Sequence, residues 1–371
     1  MAADVLQLRS SAGLYGADQA LLSLSAALPR QALGSRLLCI RNYRMASQEL
    51  HEAARLRGID TALLPCAGRV DRATLRALRA ECNAAPRAAL HAHDYKSTVY
   101  AWLAGRGRRM PLVSTLHGWI ETSAGLRLYK RIELRLLRAF DALVVVSQAQ
   151  RDTLRRAGIR DERIRWIPNG IDTQRYSPAA AVASRAEFGI AQSAFLFGCV
   201  ARLAPEKNIA ALVDAVTALR REGADVALLL VGDGPERARL AERVSAAGIE
   251  DAVRFAGALA DTARVYPMLD AFVLPSLTEG MPLAALEAMA CERPIVASAV
   301  GELPQLLRGT QRGLLVRAGD GAELVQAMRA TFLAGRGADA TARAIVERAY
   351  SIDHAAAAYA TLYRDLARRP T

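Results

Sequence analysis

Short apolar runs of strand length alternate with amphipathic stretches of helix length from one end of the chain to the other, the pattern of an α/β protein with parallel sheets. In the first half the strand candidates are Val5 to Leu8, Arg36 to Ile40, Thr61 to Leu64, Leu112 to Thr115, Ala142 to Val146 and Ile164 to Ile167. A second series starts afresh with Phe195 to Val200, Val226 to Val231, Val253 to Phe255, Ala271 to Leu274, Pro294 to Ala297 and Gly313 to Val316. Between them residues 168–194 are rich in Pro, Ser and Ala, and Asn169-Gly170 is a strong turn signal, so this connector marks a domain boundary. The pattern predicts an N-terminal domain over 1–172 and a second over 173–351. Residues 352–369 read as one long helix, expected within a closing segment 352–371 that packs back toward the N-terminal domain. Doubly wound sheets bind ligands beyond the carboxyl ends of their strands, so a substrate clamped between the two domains is expected.

The length of 371 residues suits about two domains, and a composition 52% apolar and 23% charged excludes a disordered or fibrous chain. No apolar run approaches the roughly 20 residues a membrane-spanning helix needs. The opening MAADVLQLRS lacks a basic start followed by an apolar core, so the expected location is the cytoplasm. Cys39, Cys66, Cys82, Cys199 and Cys291 show no Cys-x-x-Cys spacing, which suggests neither a disulfide framework nor a thiolate zinc site.

The net charge of +12 is uneven. Residues 1–172 hold 27 basic and 15 acidic side chains, whereas the remainder is balanced. Such a field attracts phosphorylated ligands, anionic lipid or nucleic acid without choosing among them. The segment AGLRLYKRIELRLLRAF at 124–140 places Arg127, Arg131, Arg135 and Arg138, with Lys130, at helical spacing beside Leu128, Ile132, Leu136 and Phe140. That helix could lie on an anionic membrane surface or simply show a solvated basic face.

Candidate chemistry sits in the loops after strands. The first strand runs into SSAGLYGAD, where Gly13 and Gly16 allow close backbone approach to a ligand at a helix amino-terminus. The G-x-G-x-x-G spacing is missing, which disfavours a dinucleotide-binding dehydrogenase. His117 follows the strand ending in Thr115 and is placed to donate a hydrogen bond or exchange a proton. His91, His93 and Asp94 make an incomplete ligand set, and no metal is expected. Ser147 with Gln150 reads as a capping box rather than a nucleophile.

In the second half Arg202 and Lys207 share one loop, and two cations ahead of a helix could neutralise a diphosphate. Further on, Glu279 precedes and Glu287 lies within a helix that Pro282 helps to start, so carboxylates bracket the N–H groups of Gly280, Met281 and the residues after them. Carboxylates accept hydrogen bonds from sugar and ribose hydroxyls.

These residues together resemble the family-4 retaining glycosyltransferases of the GT-B fold, over nearly the whole chain. The resemblance rests on VARLAPEKN at 200–208, the E-x7-E element Glu279 to Glu287, PNGID at 168–172, VGDGP at 231–235, STLHG around His117 and the Gly-rich first loop. It implies two Rossmann-like domains facing each other across a cleft, a nucleotide-diphosphate sugar held by the second, and transfer with retention to a hydroxyl of a glycan or lipid-linked acceptor in bacterial surface polysaccharide or lipopolysaccharide assembly. UDP is the first expectation for the donor and GDP the second. By the same resemblance Arg202 and Lys207 hold the diphosphate, Glu287 the ribose and Glu279 the sugar. Gly280, Met281, Pro282 and Leu283 face the sugar and phosphates. His117 sits near the transferred sugar, Gly13 and Gly16 line the cleft, and the base lies near Ala258 and Leu259. Neither a cofactor nor a metal is implied, and catalysis is assigned to His117, Arg202, Lys207 and Glu279. The first loop departs from relatives with adjacent glycines.

Two other readings compete. A GT-B epimerase would release a free altered sugar, and a basic polyanion- or membrane-binding adaptor would leave Arg202, Lys207, Glu279 and Glu287 without a role. Nucleic acid is not an expected partner.

Overall fold

Among the described residues two all-parallel sheets form, one in each half of the chain. The computed structural model describes residues 4–368 apart from 12, 46–47, 69, 108–109, 118–123 and 181, and describes only the backbone of 124–128. The first sheet comprises β1 (Val5–Arg9), β2 (Ser35–Ile40), β3 (Thr61–Leu64), β4 (Ala89–Ala92), β5 (Leu112–Leu116), β6 (Ala142–Val145) and β7 (Ile164–Trp166), in the order β3-β2-β1-β4-β5-β6-β7. The second comprises β8 (Phe195–Val200), β9 (Val226–Val231), β10 (Val253–Gly257), β11 (Ala271–Leu274), β12 (Ile295–Ser298) and β13 (Gly313–Val316), in the order β10-β9-β8-β11-β12-β13. Both are doubly wound, as the alternating pattern predicts. Strand order reverses between β1 and β4 in one sheet and between β8 and β11 in the other, and doubly wound sheets bind ligands beyond the strand ends at such switch points.

β4 is absent from the strand candidates above. Its sequence Ala-Leu-His-Ala has little intrinsic strand preference. It is a strand because it is buried along its length and pairs on both edges, with β1 and with β5.

Strand alternation sorts the first sheet into two faces. Leu6, Leu8, Leu38, Leu90, Ala92, Leu112, Leu116 and Leu143 pack into one core. Val5, Ala89, Val113 and Val144 face the other way, against Ile352, Ala356, Tyr359, Ala360 and Tyr363 of the closing helix Ile352–Ala367. Those helix positions recur at a spacing of three or four, so one stripe of the helix covers one face of the sheet.

The chain accordingly divides into a unit of Met1–Gly170 with Ile352–Thr371, and a unit of Ile171–Ser351. Both crossings lie at one place in the second unit, where Ile171 bridges Ser351 and the Ile171 N–H donates to Tyr350 O at 2.9 Å. The five cysteines are free and buried. The Ser147 hydroxyl caps the Gln148–Arg156 helix, accepting from Gln150 N. No described helix is long and apolar enough to cross a membrane.

Candidate functional site

In the second unit β8 and β11 are neighbours, so the loops that follow them run side by side, and Leu277 N donates to Glu206 O at 2.8 Å. The loop after β8 ends in a short 3-10 turn, Pro205–Lys207, before the Ile209–Arg221 helix. The loop after β11 leads to the Leu283–Ala290 helix, for which Pro282 is the N-cap residue rather than part of the first turn. Lys207 Nζ donates to Glu279 Oε1 at 2.6 Å, and the buried Ser276 hydroxyl donates to the same oxygen at 2.7 Å. The Glu279 side chain is 8% exposed and that of Lys207 21%. Ionic attraction so sheltered from water is strong only because the partner is present. Arg202 is exposed on the same loop as Lys207.

Backbone crossings hold these loops in shape. Gly232 has φ of 130°, and a Cβ there would lie 2.0 Å from Ala201 O. Only glycine lets the VGDGP loop brace the loop carrying Arg202, through Ala201 N to Val231 O and Leu203 N to Asp233 O, each 3.0 Å. Gly301 has φ of 56° and a Cβ there would lie 2.5 Å from both Glu279 O and Gly280 O. That close passage lets Glu302 N donate to Gly280 O at 3.0 Å and supports the backbone of Glu279 from behind.

Glu287 projects from the Leu283–Ala290 helix and accepts from the Tyr266 hydroxyl at 2.5 Å. Tyr176 packs edge-on to Tyr266 with ring centroids 5.9 Å apart, and Arg175 pairs with Asp261 at 2.7 Å. Burial pushes the Glu287 carboxyl above its ordinary range, opposed by hydrogen bonds from Tyr266 and Tyr176 and by the Arg175 charge. Of the remaining residues assigned to the donor, Gly280 is partly buried, Met281 and Pro282 are buried, and Leu283 opens the helix. Ala258 is exposed and Leu259 partly buried just after β10. Sequence reasoning missed Arg175, Tyr176 and Tyr266. An Arg-Tyr pair inside an otherwise Ala, Ser and Pro-rich connector was the available signal.

In the first unit Gly16 begins the Gly16–Ala27 helix, with nothing within 4 Å of where its Cβ would stand, while a Cβ on Gly13 would lie 3.0 Å from the Tyr15 ring. The helix start carries a carboxylate of its own. Asp18 is fully buried, accepts Tyr15 N at 3.0 Å and pairs with Arg9 at 2.9 Å. His91 and His93 are buried. His91 contacts Tyr363 OH at 2.6 Å and Thr115 Oγ1 at 2.8 Å, and His93 contacts Gln7 Oε1 at 2.6 Å and His117 Nε2 at 3.3 Å. Burial, with the Arg9 charge, pushes the His117 imidazole down to about 3.

In the basic segment the Ala124–Leu137 helix buries Leu137 and leaves Arg131 and Arg135 exposed beside Tyr129 and Ile132. Phe140, expected on that apolar face, is fully buried beyond the helix end. Arg138 also lies past the helix end and donates to Ala157 O at 2.9 Å, Lys130 is partly buried, and the Arg127 side chain lies outside the described residues.

Known proteins resemble this chain in sequence and in fold. Residues 194–332 match the glycosyl transferases group 1 family and residues 15–175 match glycosyltransferase family 4. The D-inositol 3-phosphate glycosyltransferase of Actinosynnema mirum is 30% identical over 285 residues, covering 70% of this chain and 67% of that protein. The lipopolysaccharide core biosynthesis mannosyltransferase LpsB of Rhizobium meliloti is 32% identical over 259 residues, covering 67% of this chain and 72% of that protein. Across these and the other curated relatives the matched span covers 58% to 72% of their length. The crystal structure of Anabaena HepE in complex with UDP superposes with a TM-score of 0.82 at 22% identity, covering 98% of this chain and 100% of that one, which shows a shared fold. The two doubly wound sheets are those of a GT-B protein, and the chain belongs to glycosyltransferase family 4.

Proposed function

We propose that the protein is a retaining glycosyltransferase that moves a sugar from a nucleotide-diphosphate sugar to a hydroxyl of a glycan or lipid-linked acceptor. The observation that carries this reading is the meeting of Lys207 and Glu279 at 2.6 Å on adjacent loops at the switch point of the second sheet. A cation and a hydroxyl-accepting carboxylate held together there suit a ligand with a phosphate at one end and a sugar at the other. Departure of a nucleoside diphosphate builds negative charge on the leaving oxygen. Arg202, Lys207 and the N–H groups at the start of the Leu283–Ala290 helix stabilise that charge. Glu279 orients the sugar and Glu287 the ribose, with Gly280, Met281, Pro282 and Leu283 lining the donor and Ala258 and Leu259 beside the base. Gly13, Gly16 and His117 serve the phosphates, the acceptor and the transferred sugar. Retention is attributed to front-face attack, the departing phosphate taking the acceptor proton.

UDP is the favoured nucleotide and GDP the second. HepE, a fold relative, binds UDP, and a relative named for lipopolysaccharide core biosynthesis supports an acceptor in surface glycan assembly. The exposed Arg131 and Arg135, beside exposed Tyr129 and Ile132, support contact with the inner face of the cytoplasmic membrane.

The test is a thermal-shift panel of UDP, GDP, ADP and their sugar conjugates. A ligand at 100 times its Kd stabilises by about 2.7 kcal/mol, so one nucleotide class should raise the second unit's Tm by several degrees. The product's anomeric coupling, read by NMR, should match the donor's. A panel in which no nucleotide shifts the melt, or release of a free epimerised sugar, would sink the proposal.

A further inference from the structure

Alternation along three neighbouring strands brings a polar row to the carboxyl end of the face that the closing helix covers. Below lie Val5, Ala89 and Val113; above them come Gln7 on β1, His91 and His93 on and after β4, and Thr115 and His117 on and after β5. The register sets Gln7 opposite His91, and Tyr359 and Tyr363 of the closing helix complete the row. Gln7, His91 and His93 are buried, so their hydrogen bonds cannot be exchanged for water without cost.

The bonds have a direction. Gln7 Nε2 donates to Tyr363 OH at 3.4 Å, which leaves Gln7 Oε1 to accept from His93 Nε2 at 2.6 Å. A neutral imidazole has one donor and one acceptor, and burial holds the charged forms of His91, His93 and His117 far from neutral pH. With its proton on Nε2, His93 accepts at Nδ1, so His117 Nε2 donates across 3.3 Å. His117 Nδ1 is then a bare lone pair, and that buried atom has no hydrogen-bond partner among the described residues.

We propose that Gln7 and His93 are positioning residues that hold His117 in the Nε2–H tautomer, so that its Nδ1 accepts a hydrogen bond from a hydroxyl of the transferred sugar. The inference rests on the glycosyltransferase reading above, which puts His117 beside that sugar.

Tautomers are read directly from two-bond proton–nitrogen correlation spectra of the full chain labelled with nitrogen-15 histidine. At pH 7 wild-type His93 and His117 should both show a protonated Nε2 and a bare Nδ1. In Gln7→Met the His117 pattern should become a mixture of tautomers. UDP affinity should be unchanged and turnover of the accepted sugar nucleotide should fall about tenfold, the worth of one lost hydrogen bond.

A protonated Nδ1 on wild-type His117 overturns the relay, as does an unchanged His117 pattern in a folded Gln7→Met. If that variant does not fold, the wild-type spectrum decides alone. The two readings fail differently. Turnover by an enzyme with the opposite tautomer removes the relay and leaves the glycosyltransferase, whereas the expected tautomers in a protein that binds none of UDP, GDP, ADP and their sugar conjugates remove the glycosyltransferase and the sugar contact.

Discussion

Replacing Lys207 by Met removes the ammonium that neutralises Glu279 and leaves a carboxylate 8% exposed, to which the Ser276 hydroxyl still donates. Breaking a fully buried pair from one side costs about 3–5 kcal/mol. Lys207 is 21% exposed and Ser276 still bonds the carboxylate, which together lower the expected loss to about 2 kcal/mol. In a unit the size of Ile171–Ser351 that corresponds to a fall in Tm of about 4–8 °C. Glu279→Gln strands only a partly hydrated ammonium and should cost about 1 kcal/mol. The double variant Lys207→Met with Glu279→Gln contains no stranded charge, so it should be more stable than the sum of the singles by about 1–2 kcal/mol. Urea unfolding of the four proteins measures this coupling. Nucleotide affinity should behave in the opposite way: UDP binding is weakened equally in Lys207→Met and in the double variant, because both lack the cation that meets the phosphate. Stability changes that add to within about 0.5 kcal/mol would show that the pair is not coupled and refute the reasoning.

Three further outcomes are expected. Burial lowers the folded-state pKa values of His91, His93 and His117, so their contribution to stability is full above about 6.5 and is lost as pH falls, by up to about 1.4 kcal/mol per pH unit for each. Urea midpoints of the wild type should therefore drop steeply between pH 6.5 and 5, and those of His91→Gln less steeply; parallel slopes would rule the histidines out. Leu366 of the closing helix is 4% exposed against the first sheet, so Leu366→Ala should cost about 2–4 kcal/mol, and deletion of 352–371 should leave Val5, Ala89 and Val113 uncovered and the first unit without cooperative unfolding, as followed by calorimetry. A sharp transition in that deletion would contradict the assignment of the helix to the first unit.

Most of the strands and the closing helix are readable from the chain because their signals are local: apolar runs a few residues long, alternation, and helical spacing. Ala89–Ala92 escapes the strand list for the converse reason, since nothing in Ala-Leu-His-Ala prefers an extended backbone until β1 and β5 flank it. The loops bearing Arg202, Lys207, Glu279 and Glu287 stand out as charged groups at strand ends. Their pairing does not. That Lys207 meets Glu279, while Glu287 turns to Tyr266, follows from β8 and β11 being neighbours and from the glycine crossings at 232 and 301.

The histidines show the division most clearly. As a string, His91, His93 and Asp94 look like an unfinished metal site; in the fold His91 bonds Tyr363, 272 residues away, and His93 bonds Gln7. Local periodicity sets which residues become strands, which face of a helix is apolar and where a charged loop must fall, because each depends on neighbours within a few residues. Which proton sits on His93, and which partner neutralises Lys207, depend on groups that only sheet order brings within 3 Å, and no spacing along the chain encodes that order.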